Sequence, residues 1–356
     1  MGGNALKADA AGLRRFMASA LAKVGVPERD AATTAEILVD ADLRGIESHG
    51  LLNFYDYYYK KVRDGDIQGR PRIRVSRGSP TTAVVDGDNG LGLVVGHRAM
   101  EEALSMAEES GSGWVSVCGS NHCGAGAYYV LMAARRNMLG FHVSTGGSTV
   151  AGPGGTGRLV GNNVIAFAAP AKNHDPFVLD MAPTMAIANK IRRFGWEGKP
   201  IPPGFAVDRK GEPITDPEEY FRQEGAILPL GSSPLYGIHK GFGLILMVDI
   251  LAGVLSGDGG STLRKKGAET HAFGALRIDA FPSGADFPGL MEEMIGRIHG
   301  APTVEGSGPM RYPGERMGRV YRERLRDGIP LNEAMIADLR KLSAEQNLPL
   351  EDVFIR

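Results

Sequence analysis

Histidine is the side chain best suited to moving a proton near neutral pH, and this chain carries eight. Two of them stand in short polar turns. His122 lies in Ser120-Asn121-His122-Cys123-Gly124-Ala125-Gly126, after the apolar β-rich run Trp114-Val115-Ser116-Val117-Cys118 and before an apolar helical run from Tyr128 to Ala134. A strand end, a turn of small residues and a helix start offer free backbone N–H groups and a side chain that faces a ligand. A lone histidine after a strand can be purely structural; the glycine-flanked turn favours catalysis. His49 lies in Arg44-Gly45-Ile46-Glu47-Ser48-His49-Gly50. Ser48 can orient the imidazole, and Arg44 offers a planar fork suited to a carboxylate. Alone, His49 reads as a packing residue at a helix end. With Arg44 and Ser48 beside it, proton transfer to a carbonyl oxygen is the better reading.

Other stretches bear on a phosphate or nucleotide. Gly90-Leu91-Gly92-Leu93-Val94-Val95-Gly96 lacks the last spacing of a dinucleotide fingerprint, and no Gly-Lys-Ser/Thr phosphate loop occurs. Gly146-Gly147-Ser148-Thr149 and Gly152-Pro153-Gly154-Gly155-Thr156-Gly157 can surround a phosphate with N–H groups or be plain flexible loops. Asp180 ends an apolar strand, where it can hold a ribose hydroxyl or a histidine, or cap a helix beginning near Pro183. Lys240 opens an apolar helix against its macrodipole, so an anionic partner such as phosphate is expected. Cys118 and Cys123 with one histidine make an incomplete metal site, so no metal is expected.

The elements that must position these residues follow from hydrophobic spacing. Helices are predicted from Ala5 to Val24, Glu28 to Leu43 and Leu51 to Val62, then from Val94 to Glu109. Strands are predicted at Gly140–Thr145, Asn163–Ala169, Phe177–Met181 and Ala272–Ala280. The Pro- and Gly-rich stretch from Gly195 to Tyr236 is expected to wrap the surface, and Gly257 to Ala268 to form a mobile loop. Helices return at Phe287–His299, Arg316–Arg326 and Leu331–Gln346. The expected fold is therefore α+β. Helices from both termini (1–75 and 310–356) form one unit, and a glycine-rich unit (76–309) lies between them.

Composition sets the limits. Net charge is −1, which gives no overall pull toward nucleic acid or an anionic membrane. Fifty glycines in 356 residues imply many tight turns and close backbone approaches. The start Met-Gly-Gly-Asn-Ala-Leu has no secretory pattern, and the longest apolar run, Phe242 to Leu255, is too short to span a bilayer. A cytoplasmic protein is expected.

Six segments in this order resemble the malate/L-lactate dehydrogenase family that lacks a Rossmann domain. They are Arg44…Ser48-His49-Gly50, Ser120-Asn121-His122, Gly161-Asn162-Asn163, Leu179-Asp180-Met181-Ala182, His239-Lys240-Gly241-Phe242-Gly243-Leu244 and Tyr312-Pro313-Gly314-Glu315. The resemblance implies an NAD- or NADP-dependent oxidoreductase of small 2-hydroxy or 2-oxo acids. It implies a non-Rossmann nucleotide-binding domain with a largely antiparallel sheet, and a homodimer whose active site lies between subunits. It assigns proton transfer to His49 or His122, and cofactor contacts to Ser120, Asn121, His122, Asp180, Met181, Ala182, Lys240, Pro313, Gly314 and Glu315. Members often carry an arginine three residues past the Ser-His-Gly glycine; here that residue is Asn53, which leaves the substrate open. Reduction of a cyclic imino acid with NADPH and a non-catalytic nucleotide-binding dimer are the alternatives. A lysine, Lys190, where imino-acid reductases carry a relay aspartate, argues against the first.

Overall fold

The computed structural model describes residues 6–263 and 269–355. Strand β1 (Lys7–Ala8) leads into helix α1 (Ala10–Lys23). The helix starts later than its apolar spacing suggests, because the Asp9 carboxylate accepts the Gly12 N–H at 2.6 Å and caps it there; Ala5 lies outside the described residues. Helix α2 (Glu28–Leu43) buries the Ala31, Ala35 and Leu38 face. Two 3₁₀ turns follow, Glu47–His49 and Leu51–Asn53. The tyrosine-rich run is then a π-helical turn, Phe54–Tyr59, continued by α3 (Lys60–Arg63).

Next come β2 (Arg74–Ser79), β3 (Thr82–Asp86), α4 (Gly92–Ser110), β4 (Ser112–Ser120), α5 (Gly126–Arg135) and β5 (Met138–Ser144). They are followed by β6 (Ser148–Val150), β7 (Val160–Gly161), β8 (Val164–Ala169), β9 (Phe177–Met181), α6 (Ala188–Trp196), β10 (Ala206–Val207), α7 (Pro217–Arg222) and β11 (Ala226–Ile227). The chain ends with α8 (Ile238–Val248), a second π-helical turn at Asp249–Val254, α9 (Gly260–Leu263), β12 (Glu269–Arg277), α10 (Phe287–His299), α11 (Glu315–Asp327), β13 (Ile329–Pro330) and α12 (Glu333–Gln346).

The main sheet has seven strands in the order β2-β3-β4-β12-β5-β8-β9. Every pair is antiparallel except β3–β4, so the sheet is largely antiparallel, as the resemblance implied. The chain ends meet where β1 pairs with β13. Leu13, Phe16 and Met17 of α1, Leu38 of α2 and Leu339 of α12 share one buried cluster with Leu104 of α4, Val117 of β4 and Phe273 of β12.

The stretch from Gly195 to Tyr236 does not merely wrap the surface. Its short strands join β6 and β7 in a second sheet, ordered β10-β11-β6-β7. Ile201, Ile214, Tyr220 and Ile227 bury with Val150, Val160, Ile191 and Ile245 in a core of their own. Isolated apolar residues among prolines and glycines carry no period, and burial found them partners. Of the expected loop from Gly257 to Ala268, Gly260–Leu263 is helical and 264–268 lies outside the described residues.

Candidate active site

Strand β4 ends at Ser120, and α5 begins at Gly126. The turn between them is the strand-to-helix connection read from the sequence, and it is tied down on three sides. The Asn121 side-chain amide donates to Asn89 Oδ1 at 3.0 Å and to the Gly90 carbonyl at 2.9 Å. His271 of β12 donates from Nε2 to the Asn121 carbonyl at 3.0 Å, because a carbonyl can only accept. Its Nδ1 then accepts from Ser144 Oγ at 2.8 Å. Asp180 of β9 accepts the Ala127 N–H at 2.8 Å, placing a carboxylate at the N-terminus of α5. Burial pushes the Asp180 carboxyl up to about 6, against the pull of the N–H groups of Ala127 and Gly126. The next helix after Asp180 starts only at Ala188, so Asp180 caps α5 rather than a helix near Pro183.

Glycine 92 explains the Gly90–Gly96 run. A Cβ there would stand 1.9 Å from the Asn121 carbonyl oxygen and 2.5 Å from that of His122. The run is a close helix approach beneath the turn, not a phosphate loop.

The turn carries His122 onto a small cavity of about 120 Å³. His49, His122, Cys123, His142, Gly146, Gly147, Asn162, Val164 and Glu269 are among its walls. The two predicted histidines therefore meet, with ring centroids 5.5 Å apart and planes 21° from parallel. Ser48 Oγ lies 2.8 Å from His49 Nδ1. Asn53 donates to the Ser48 carbonyl at 2.6 Å, so its side chain braces the turn. Beneath the turn, Asp42 accepts the Leu51 N–H at 2.7 Å, and a Cβ on Gly50 would fall 2.2 Å from its carboxylate. Burial pushes Asp42 up to about 7.

Tyr58 and Gly124 fix the tautomer of His122. The Gly124 N–H points at Nδ1 from 3.4 Å, and an N–H can only donate. Nδ1 is therefore an acceptor, the Tyr58 hydroxyl donates to it at 2.5 Å, and the neutral ring carries its proton on Nε2. Burial, helped by the Lys61 charge, lowers His122 to about 4. Burial and the neighbouring His122 lower His49 to about 3. Both rings are neutral at physiological pH, and stacking disfavours charging both. Tyr58 is held well above its usual range by burial, so it orients His122 and keeps its own proton. Cys123 is pushed out of reach of ionisation by burial, and with Sγ 3.7 Å from His142 Nε2 it is a packed thiol, not a nucleophile.

Arg44 does not reach this cavity. Its Nε and Nη2 bind Asp40 at 2.7 and 3.1 Å, and its guanidinium lies 4.5 Å over the Tyr321 ring. The fork that was to take a substrate carboxylate is already filled by one from its own helix. Ser120 and Asn121 are buried and spent on internal hydrogen bonds. Met181 pairs with Ile165, one residue from the cavity wall at Val164. Ala182 follows it, half-buried. Lys240 is exposed and makes no ion pair among the described residues, so no protein anion answers it. At the opposite end of β9, the Val178 N–H donates to the Pro313 carbonyl at 2.9 Å. Gly314 adopts φ 106° against Pro176, and Glu315 holds His299 Nε2 at 3.1 Å. Gly146 and Gly147 wall the cavity, whereas Gly152–Gly157 lies in the connection between β6 and β7.

Sequence reasoning missed Tyr58, His142, Glu269 and Asp249. Asp249 Oδ1 accepts from Asn163 Nδ2 at 3.0 Å and from Ser261 N at 2.9 Å, while Asn163 Oδ1 accepts the Gly146 N–H at 3.2 Å. The Gly161-Asn162-Asn163 motif thus sets the glycine wall. A polar residue inside an apolar helical run was the available signal for Asp249. Among the described residues, no group of three or more His, Cys, Asp or Glu side chains is placed to hold a metal. No described helix is long and apolar enough to cross a membrane.

At about 120 Å³ the cavity is well below the roughly 300–1,000 Å³ of a whole-ligand pocket. It has room for the end of a ligand, not for a whole dinucleotide. A Cβ at Gly147 would meet nothing within 4 Å, which leaves bare backbone for a flat ring. A nicotinamide fits these walls.

A family model described as malate/L-lactate dehydrogenase matches residues 8–340. A malate dehydrogenase of Pyrococcus abyssi is 40% identical over 334 residues, covering 92% of this chain and 91% of that protein. An L-sulfolactate dehydrogenase of Methanocaldococcus jannaschii is 33% identical, covering 95% and 97%. The solved malate dehydrogenase of Pyrococcus horikoshii superposes with a TM-score of 0.88 at 36% identity, over 98% of this chain and 97% of that one.

Proposed function

The chain belongs to the malate/L-lactate dehydrogenase family, and on that premise we propose that it interconverts a small 2-hydroxy acid and its 2-oxo acid with NAD or NADP. The observation that carries this reading is the pair of stacked neutral imidazoles, His49 and His122, on the wall of one cavity. When bound, the nicotinamide supplies or accepts the hydride at C4.

The residues of this chain handle the proton. In oxidation, the form of His122 that acts is the other neutral tautomer, in which the ring proton has exchanged from Nε2 to Nδ1 and the Tyr58 oxygen has turned from donor to acceptor. Nε2 is then free to take the hydroxyl proton. In reduction, the imidazolium returns the Nε2 proton to the oxygen on C2. His49, steadied by Ser48, stays neutral and offers a hydrogen bond to the same oxygen. Asp180 holds the start of α5 and with it the turn that aims His122. Met181, Ala182, Lys240 and Pro313–Glu315 are the proposed contacts for the rest of the dinucleotide, with Lys240 free to meet a phosphate.

The same reading includes a homodimer in the cytoplasm. Its support is an exposed apolar series on α8 and the turn after it, Leu244, Met247, Ile250 and Val254. Ile250→Asp is expected to convert a dimer to a monomer in sedimentation.

The activity test is oxidation of NADH and NADPH across a panel of 2-oxo acids, with the hydroxy acids run in reverse. Turnover on at least one member is expected. Cofactor binding without turnover on any would overturn the reading.

A further inference from the structure

A 2-oxo acid carries its carboxylate one bond from the reacting carbon, so a cation must stand close to the proton carrier. Arg44 is bound to Asp40, and Asn53 is neutral. In the run that faces His122, Lys60 pairs with Asp56, and Arg63 with Asp64. Lys61 is half-buried and has no ion pair among the described residues. Its ammonium lies 3.8 Å from the centroid of the Tyr57 ring, and the Tyr57 ring meets His122 edge-on at 5.2 Å. One aromatic ring therefore separates a cation with no counterion among the described residues from the imidazole that moves the proton. A flexible four-carbon stem gives that cation reach.

We propose that Lys61, seated on Tyr57, grips the substrate carboxylate and is the residue that restricts this enzyme to acids. The proposal rests on the 2-hydroxy acid reading above. The π-helical turn makes the arrangement possible. Lys60 donates its N–H to the Tyr55 carbonyl five residues back, and the widened turn brings both Tyr57 and Tyr58 against His122.

The grip has a second consequence. His122 is faced by His49, Tyr57, Tyr58, Cys123 and, across the cavity, Glu269; Lys61 is the cation whose charge opposes its protonation. A carboxylate on Lys61 cancels that opposition, so the substrate itself readies His122 to carry a proton.

The test compares Lys61→Met and Lys61→Arg with wild type on a 2-oxo acid and on its 2-oxo amide, following NADH oxidation. Lys61→Met is expected to lose roughly 10- to 100-fold in kcat/KM on the acid, chiefly through KM. On the amide it is expected to lose less than about threefold. Lys61→Arg is expected to restore most of the acid preference. In the oxidation direction, the acidic limb of kcat/KM in Lys61→Met is expected to move to higher pH, because the charge that opposes protonation of His122 is gone. An active wild type whose acid-over-amide preference survives in Lys61→Met would overturn this proposal alone. A wild type inactive on every 2-oxo acid would overturn the activity reading and this proposal with it.

Discussion

Tyr58→Phe removes one oxygen and leaves the ring. Tyr58 is fully buried, and its hydroxyl lies 2.5 Å from His122 Nδ1, with the Gly124 N–H the other neighbour of that nitrogen. In the imidazolium state, Nδ1 becomes a donor. The Tyr58 oxygen can then accept, whereas the Gly124 N–H faces it with like polarity. A hydrogen bond to a charged partner contributes about 1.5–3 kcal/mol. Losing it lowers the affinity of His122 for a proton by roughly one to two pH units. His122 already titrates near 4, so the variant carries the proton with still more difficulty. The expected result is a fall in kcat of roughly 10- to 100-fold in both directions. NADH affinity, read by fluorescence titration, should stay within about threefold. Global stability should drop by only about 1 kcal/mol, the net value of one buried hydrogen bond. A variant with the stability loss and wild-type kcat would show that Tyr58 merely packs, and the assignment of its role would be wrong.

Other consequences can be checked directly. Because burial holds His122 near 4, its base form is lost only as pH falls through about 4. A pH series of kcat/KM for hydroxy-acid oxidation should therefore be flat through neutrality and fall only toward that value. Asp42 is held near 7 against an ordinary value of 3.8. It therefore contributes stability that is present below 3.8 and lost as pH rises through about 7. In urea titrations, the stability advantage of wild type over Asp42→Asn should shrink by about 2–3 kcal/mol between pH 5 and pH 7. Gly92→Ala would place a methyl 1.9 Å from the Asn121 carbonyl oxygen. Overpacking of this kind costs about 1–3 kcal/mol, and since it strikes the turn that aims His122, kcat should fall as well as the melting temperature.

Much of the site was readable because its local signals agree. β-Branched residues ending in small polar ones mark the β4 turn, and Ser48 beside His49 marks the other. What the chain order could not show is where Arg44 would point. The clue was present, since Asp40 lies four residues earlier on the same helix, the spacing of an intrahelical ion pair. Tyr58 and Lys61 were hidden for a different reason. An α-helical reading of Leu51–Val62 fixes the wrong phase, and the π turn rotates the side chains that follow. The Gly195–Tyr236 region was misread because two-residue strands have no periodicity. Their core residues are recognisable only when Val150, Val160 and Ile245 arrive from elsewhere in the chain.

The account turns on His122 carrying the proton, and His122→Ala beside His49→Ala tests that most directly. Turnover and NADH dissociation constant should be measured on the same preparations. His122→Ala is expected to lose about 10²- to 10⁴-fold in turnover, the worth of a general acid or base, with cofactor affinity nearly unchanged and a smaller loss in His49→Ala. Equal losses of turnover and affinity in His122→Ala, or the larger turnover loss in His49→Ala, would contradict it.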